Sequence, residues 1–246
     1  VNALSMILRV LGLWAAIQPF YSPYPVKKWS PRDEFILSDD DELLFFERAS
    51  SDPEVMLAYC VAIISSQTTA TGCELRGLRM ENIIFQDPVL DENGKNLNPS
   101  EIYIPEDAVK NDDRPRKIPL TPTAEWAVRQ CYKRALKLGS VNKKHFLFPY
   151  CISRNRYDPT RRPSRWFIRD NWAKLRSVTG FPNVLPHDMR HLCITKMLEK
   201  GAKPETVRSV AGHVSPEMME YYSHIRRNEK YSALILIEPG PQMKKP

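Results

Sequence analysis

Residues 186–224, PHDMRHLCITKMLEKGAKPETVRSVAGHVSPEMMEYYSH, hold four of the five histidines in the chain, together with Arg190 and the pair Tyr221-Tyr222. Pro186 ends an extended approach, and Asp188 puts a negative charge into a first helical turn, where the helix dipole favours it. Leu192, Ile194, Met197 and Leu198 follow at helical spacing, and Gly201 supplies the stop. His187 and Arg190 are three apart and share one side of that first turn. Residues 204–210 read as a second short helix closed by Gly212, with His213 just past its end. Ser215 and Pro216 form a cap and a first-turn proline, so a third helix starts there and carries Tyr222 two turns in. The expected order is helix, turn, helix, turn, helix, with polar groups at the junctions.

These residue types suit one chemistry. Arg190 is a permanent cation whose planar fork matches the oxygens of a phosphate. His187 and His213 can donate to the same oxygens or move protons near neutral pH. A tyrosine hydroxyl, with a pKa of about 10, is a weak nucleophile unless cations stabilise its anion. Together they point to attack on a phosphodiester, with cations holding the charge of a pentavalent transition state. A zinc pair is the rival reading, because His187 and His191 are four apart on one helix. No glutamate follows the first histidine and no third ligand set stands out, so neither a metal nor another cofactor is expected.

His187-Asp188-Met189-Arg190, then Gly212-His213, then Tyr222 nine residues later resembles the catalytic signature of the tyrosine recombinases, or phage integrases. The resemblance implies a mostly α fold with a small antiparallel β-sheet (α+β), the DNA breaking–rejoining catalytic core. It implies a site-specific recombinase that cuts and rejoins double-stranded DNA through a 3′-phosphotyrosine link, self-associating on DNA as a dimer to tetramer. By position, Tyr222 is the nucleophile, and Arg190, His187 and His213 hold the non-bridging oxygens. His191 supports them, and Tyr221 is a packing residue.

Upstream, Glu74-Leu75-Arg76-Gly77-Leu78-Arg79 resembles the family segment just after its first catalytic arginine. That arginine lies three residues before the glutamate, and here the position is Thr71. No arginine or lysine occurs between Arg48 and Arg76. Losing a cation from a phosphate clamp costs transition-state stabilisation of several kcal/mol. A catalytically weak DNA-binding relative, an engineered change, or redirection of Arg76 or Arg79 each accounts for it, and Glu74 is expected to brace the site. Further on, AVKNDDRPRKIPL resembles the family's β-hairpin, which makes Lys110 the acid for the leaving 5′ oxygen. Asp112, Asp113, Arg114 and Arg116 read as hairpin-tip residues.

The remaining elements follow from local signals. Ser38 caps a helix through Ala49 with Asp39, Asp40 and Asp41 in its first turn, and residues 53–65 are apolar enough for a buried helix. Residues 83–85, 101–104 and 117–120 are short strand candidates. Thr121 and Pro122 open a helix with Trp126, Val128 and Leu136 facing inward. Residues 145–150 resemble a family strand, and His145 reads as structural. Residues 151–176 are the most basic part, with Trp166, Phe167 and Trp172 expected in the core and Arg161, Arg162, Arg165 and Arg169 on DNA phosphates.

The whole chain fits that partner. Its formal charge of +7 and pI near 9.1 suit a polyanion. Five cysteines without close pairs read as reduced thiols, and the longest early apolar run is too short for a bilayer. A cytoplasmic, DNA-associated protein without membrane contact is expected. Residues 1–31 read as one amphipathic helix, with Leu4, Ile7, Leu8, Leu11 and Trp14 along its apolar face, followed by a proline-rich linker. The resemblance implies the tail of a DNA-gripping domain there, and an ordinary N-terminal helix docked on the core is the other reading. The resemblance implies a catalytic domain at 32–228 and a tail at 229–246 exchanged between protomers, and the apolar run at 233–237 also reads as an edge strand.

Overall fold

Helix α4 (Met56–Thr68) runs through the middle of the core, with Cys60, Val61, Ala62, Ile63 and Ile64 all buried. A helix apolar on every side needs neighbours on every side. It finds them in α3 (Asp39–Ser50), α6 (Pro122–Lys137), α7 (Arg169–Thr179) and α8 (Asp188–Glu199). The computed structural model describes residues 3–18, 37–108, 115–212 and 214.

The caps expected from sequence are present. Ser38 Oγ accepts from Asp41 N at 3.1 Å at the start of α3, and Thr121 Oγ1 accepts from Ala124 N at 3.2 Å at the start of α6. Pro53 opens a 3-10 turn, Pro53–Val55, that flows into α4. Lys196 of α8 ties that helix to the acidic start of α3 through Asp39 and Glu42.

Three short strands, β1 (Ile83–Ile84), β2 (Glu101–Ile104) and β3 (Arg116–Pro119), form an antiparallel sheet in chain order. Ile102 pairs with both Ile83 and Ile118, and Ile102, Ile104 and Ile118 are buried. The expected α+β class is therefore the observed one. A second antiparallel pair, β4 (Tyr150–Ser153) with β5 (Arg156–Asp158), precedes α7.

Several expectations are corrected. Residues 145–149 form no strand: the segment docks through single backbone bonds, Met80 N to His145 O and Leu147 N to Leu78 O, both 2.9 Å. Trp126 and Leu136, placed inward by helical spacing, are 40% and 44% exposed. Trp166 is 55% exposed because α7 begins only at Arg169, so helical spacing does not carry back to it. Trp172 is buried, and its ring N–H donates to Val184 O at 2.9 Å.

The described residues 3–18 belong to a unit of their own. The single amphipathic helix expected there is two, α1 (Ala3–Val10) and α2 (Trp14–Ile17), parted at Gly12, whose φ of +70° breaks helical geometry.

Candidate active site

The site starts where α4 stops. Thr69 takes φ +62°, the left-handed region that a β-branched residue rarely occupies. Two residues on, Thr71 is the N-cap of α5 (Gly72–Gly77) in a full capping box. Its Oγ1 accepts from Glu74 N at 3.3 Å and donates to Glu74 Oε2 at 2.9 Å, while its own N–H donates to that oxygen at 2.7 Å. The position that the family gives to an arginine thus holds a helix cap whose hydroxyl is engaged at the helix end.

The other oxygen of Glu74 accepts from Arg116 Nη1 at 2.6 Å, with the two side chains only 4% and 7% exposed. Arg116 is therefore no hairpin-tip residue. It stands at the start of β3 with its guanidinium turned into the interior. Its Nε donates to Val210 O at 2.8 Å, and the same carbonyl accepts from Thr69 Oγ1 at 3.2 Å. Arg190, in the first turn of α8 and 9% exposed, donates from Nη1 to Thr69 O at 2.8 Å. Two guanidinium groups therefore bracket the 69–71 loop, one directly and one through Glu74.

Val210 belongs to α9 (Pro204–Ala211), which packs on α8 around Ile194, Leu198, Val207, Ala211 and Val214. Gly212 ends α9 with φ +75° and ψ −131°, a conformation open to glycine. A Cβ there would stand 2.9 Å from Arg116 Nη1, so the turn leading to His213 lies against that guanidinium.

His187 sits at the N-terminal end of α8, where the loop before it is fixed by Leu185 N donating to Asp188 Oδ2 at 2.8 Å. Its ring meets His191 edge-on at 4.8 Å. Burial lowers the His187 pKa below the usual histidine value, and the Arg190 charge lowers it further against opposing pulls from Asp188 and Glu74. His191 is pushed down to about 4, first by burial and then by the charges of His187 and Arg190. At neutral pH both rings are uncharged, so among the described residues Arg190 and Arg116 carry the positive charge of this cluster.

A pH dependence of stability follows. The unfolded chain protonates His191 near pH 6.5, whereas the folded chain does so only near 4. The benefit of the neutral ring is complete above pH 6.5 and is lost as pH falls toward 4. Discounted for solvent screening of a partly exposed ring, the loss is on the order of 1–2 kcal/mol. Urea midpoints of the native chain should fall between pH 7 and 5 more steeply than those of His191→Asn.

Of the residues expected at the site, His187, Arg190, Glu74, His191 and Thr71 come together, while Lys110, His213, Tyr221 and Tyr222 lie outside the described residues. Arg79 is taken up by Asp107 at 2.5 Å and by the face of Phe146 at 5.2 Å. Arg162 is a strap as well as a surface residue: it donates to Asp107 O at 3.2 Å and Cys73 O at 3.0 Å, tying its loop to α5. Arg161 lies over Tyr150 at 4.1 Å, and Arg165 and Arg169 flank exposed Trp166 at 4.7 and 5.9 Å. His145 is structural, with Nδ1 3.2 Å from Gly139 O. Among the described residues no three His, Cys, Asp or Glu side chains converge on a metal position, and no helix is long and apolar enough to cross a membrane.

Sequence reasoning missed Arg116 and Thr69. Period-two alternation held the signal for the first: Arg116 shares a face of β3 with Ile118, which is 1% exposed. A charge on an inward face requires a partner.

Comparison with known proteins identifies the family. The family model for the phage integrase family matches residues 45–229, three quarters of the chain. Tyrosine recombinase XerD of Corynebacterium glutamicum is 31% identical over 110 residues, covering 45% of this chain and 34% of that protein. Tyrosine recombinase XerC of Staphylococcus haemolyticus is 22% identical over 223 residues, covering 91% of this chain and 67% of that protein. The chain thus spans from about a third to about two thirds of the length of these relatives. Among solved structures, XerA recombinase superposes with TM-score 0.59 at 19% identity, over 96% of this chain and 76% of that one. The Tn1549 transposon integrase in complex with circular intermediate DNA gives 0.57 at 16%, over 94% and 82%. The family match spans the whole Thr69–Arg190 cluster and the signature beyond it: the chain belongs to the phage integrase family, the tyrosine recombinases.

Proposed function

We propose that this chain is a site-specific DNA strand transferase that works on double-stranded DNA. Tyr222 Oη attacks a backbone phosphorus, a P–O bond to tyrosine forms, and the P–O5′ bond breaks. The phenolic proton leaves to a base, and Lys110 gives a proton to the departing 5′ oxygen, so neither water nor a nucleotide is consumed. A 5′ hydroxyl of another strand reverses the step. Arg190 and His213 hold non-bridging oxygens. His187, uncharged near pH 7, is suited to accept or share a proton more than to supply charge. Glu74 and His191 position these groups.

Residues 32–228 would carry this chemistry, 1–31 would join it to a DNA-gripping domain, and 229–246 would exchange between protomers assembled on DNA. Arg161, Arg165 and Arg169 would contact phosphates, with Arg162 holding the loop that presents them. The observation that carries the reading is the buried Arg190 anchored on Thr69 O directly beside the capping box at residue 71.

The test is covalent capture. Duplexes selected by binding from a randomised pool are nicked so that the cleaved strand end diffuses away, and the protein is incubated with them. A protein–DNA adduct should accumulate, and its proteolytic peptide should carry the phosphate on Tyr222. The engaged hydroxyl of Thr71 favours a second reading, a DNA-binding relative with little cleavage. Selective binding without any adduct would establish that reading and overturn the first.

A further inference from the structure

Position 71 offers no charge, and its hydroxyl both donates to and accepts from Glu74. One other cation reaches the same carboxylate. Glu74 bridges Thr71 through Oε2 and Arg116 through Oε1, so the guanidinium lies one carboxylate away from the vacated place. Two of its three nitrogens are tethered, Nη1 to Glu74 and Nε to Val210 O. The third, Nη2, is buried and has no hydrogen-bond partner among the described residues. A buried charged donor without an acceptor is costly, and such groups stand out in a folded protein. The tethers fix the direction of Nη2 as well, because a guanidinium is planar and rigid.

We propose that Arg116 is the second phosphate-holding guanidinium of this chain, offering Nη2 to a non-bridging oxygen of the scissile phosphodiester in place of the arginine that residue 71 lacks. The inference rests on the strand-transferase reading above and names how that site manages without a cation at 71. Nη2 has no exposed surface, and the turn at Gly212 lies against the tethered Nη1–Nε edge of the guanidinium. Engagement therefore requires the groups that cover Nη2 to shift when DNA binds.

A change in the substrate separates charge neutralisation from bracing. Replacing one non-bridging oxygen of the scissile linkage by methyl gives a methylphosphonate, which has no negative charge to neutralise. Arg116→Ala and the native chain are compared on the captured duplex with either linkage. On the phosphodiester, Arg116→Ala should form adduct at least about a hundredfold more slowly. On the methylphosphonate it should come within about tenfold of the native chain, since the charge that Arg116 answers is gone. Equal loss on both linkages would make Arg116 a brace and overturn the proposal, as would no loss on either. If Arg116→Ala does not fold, Arg116→Gln, which keeps donors for Glu74 and Val210 without the charge, takes the same comparison. Absence of adduct from the native chain on both linkages overturns the strand-transferase reading instead, so the two failures are distinct.

Discussion

Arg190→Ala should slow adduct formation by about a thousandfold or more while leaving selective DNA binding within about tenfold. Removing one preorganised donor from a developing oxyanion costs roughly a hundred- to a thousandfold in rate. Arg190 is also a full charge in a buried setting, where that charge is screened less than in water. DNA affinity, by contrast, comes from many phosphate contacts, and one lost contact changes it little. The same variant should lose stability, because Thr69 O would keep no donor from Arg190 and a buried carbonyl left unpaired costs about 1–3 kcal/mol. Arg190→Lys separates the two effects. Lysine keeps the charge but not the fork, so it cannot brace Thr69 O and hold an oxygen with fixed geometry. Single-turnover capture and urea unfolding on all three chains give the measurement. A rate loss in Arg190→Ala no larger than its loss of binding would show that Arg190 acts on ground-state affinity alone.

Arg190 was legible from sequence, and the contrast with Arg116 shows why. The motif at 187–190 lies within one helical turn, so residue types and spacing alone put both side chains on one face. The caps at Ser38, Thr121 and Thr71 are equally local, each a side chain bonded to a backbone group three residues on. Arg116 reaches Glu74 across 42 residues and Val210 across 94, and no local pattern encodes such a meeting. Trp166 fails in the other direction. Its spacing to Arg169, Trp172 and Arg176 is helical, yet the helix begins after it, and helix boundaries are set by packing as much as by period. The segment at 145–149 has the apolar content of a strand but docks by isolated bonds to Leu78, Met80 and Pro159, which themselves lie outside the strands.

Glu74→Ala should destabilise the domain by about 3–5 kcal/mol, the usual result of removing one partner from a buried ion pair. The carboxylate does two jobs at 4% exposure: it neutralises Arg116, and it accepts from both the N–H and the hydroxyl of Thr71. Without it a guanidinium stays buried with one tether, and α5 loses its reciprocal cap, which is worth about 1 kcal/mol by itself. Against a total stability of about 5–15 kcal/mol, this is a large fraction. Glu74→Gln should cost less, because the amide oxygen still accepts from one side, but its NH2 then faces a donor on the other. Arg116→Met placed in the Glu74→Gln background should recover much of the loss, since a buried pair replaced by apolar or neutral groups of similar volume is often neutral in stability. Cleavage should not recover with it, because the double variant has no cation on the residue-71 side of the phosphate. Urea midpoints read beside capture rates in this cycle therefore split folding from chemistry: recovery of both together would mean that the Glu74–Arg116 pair serves the fold alone.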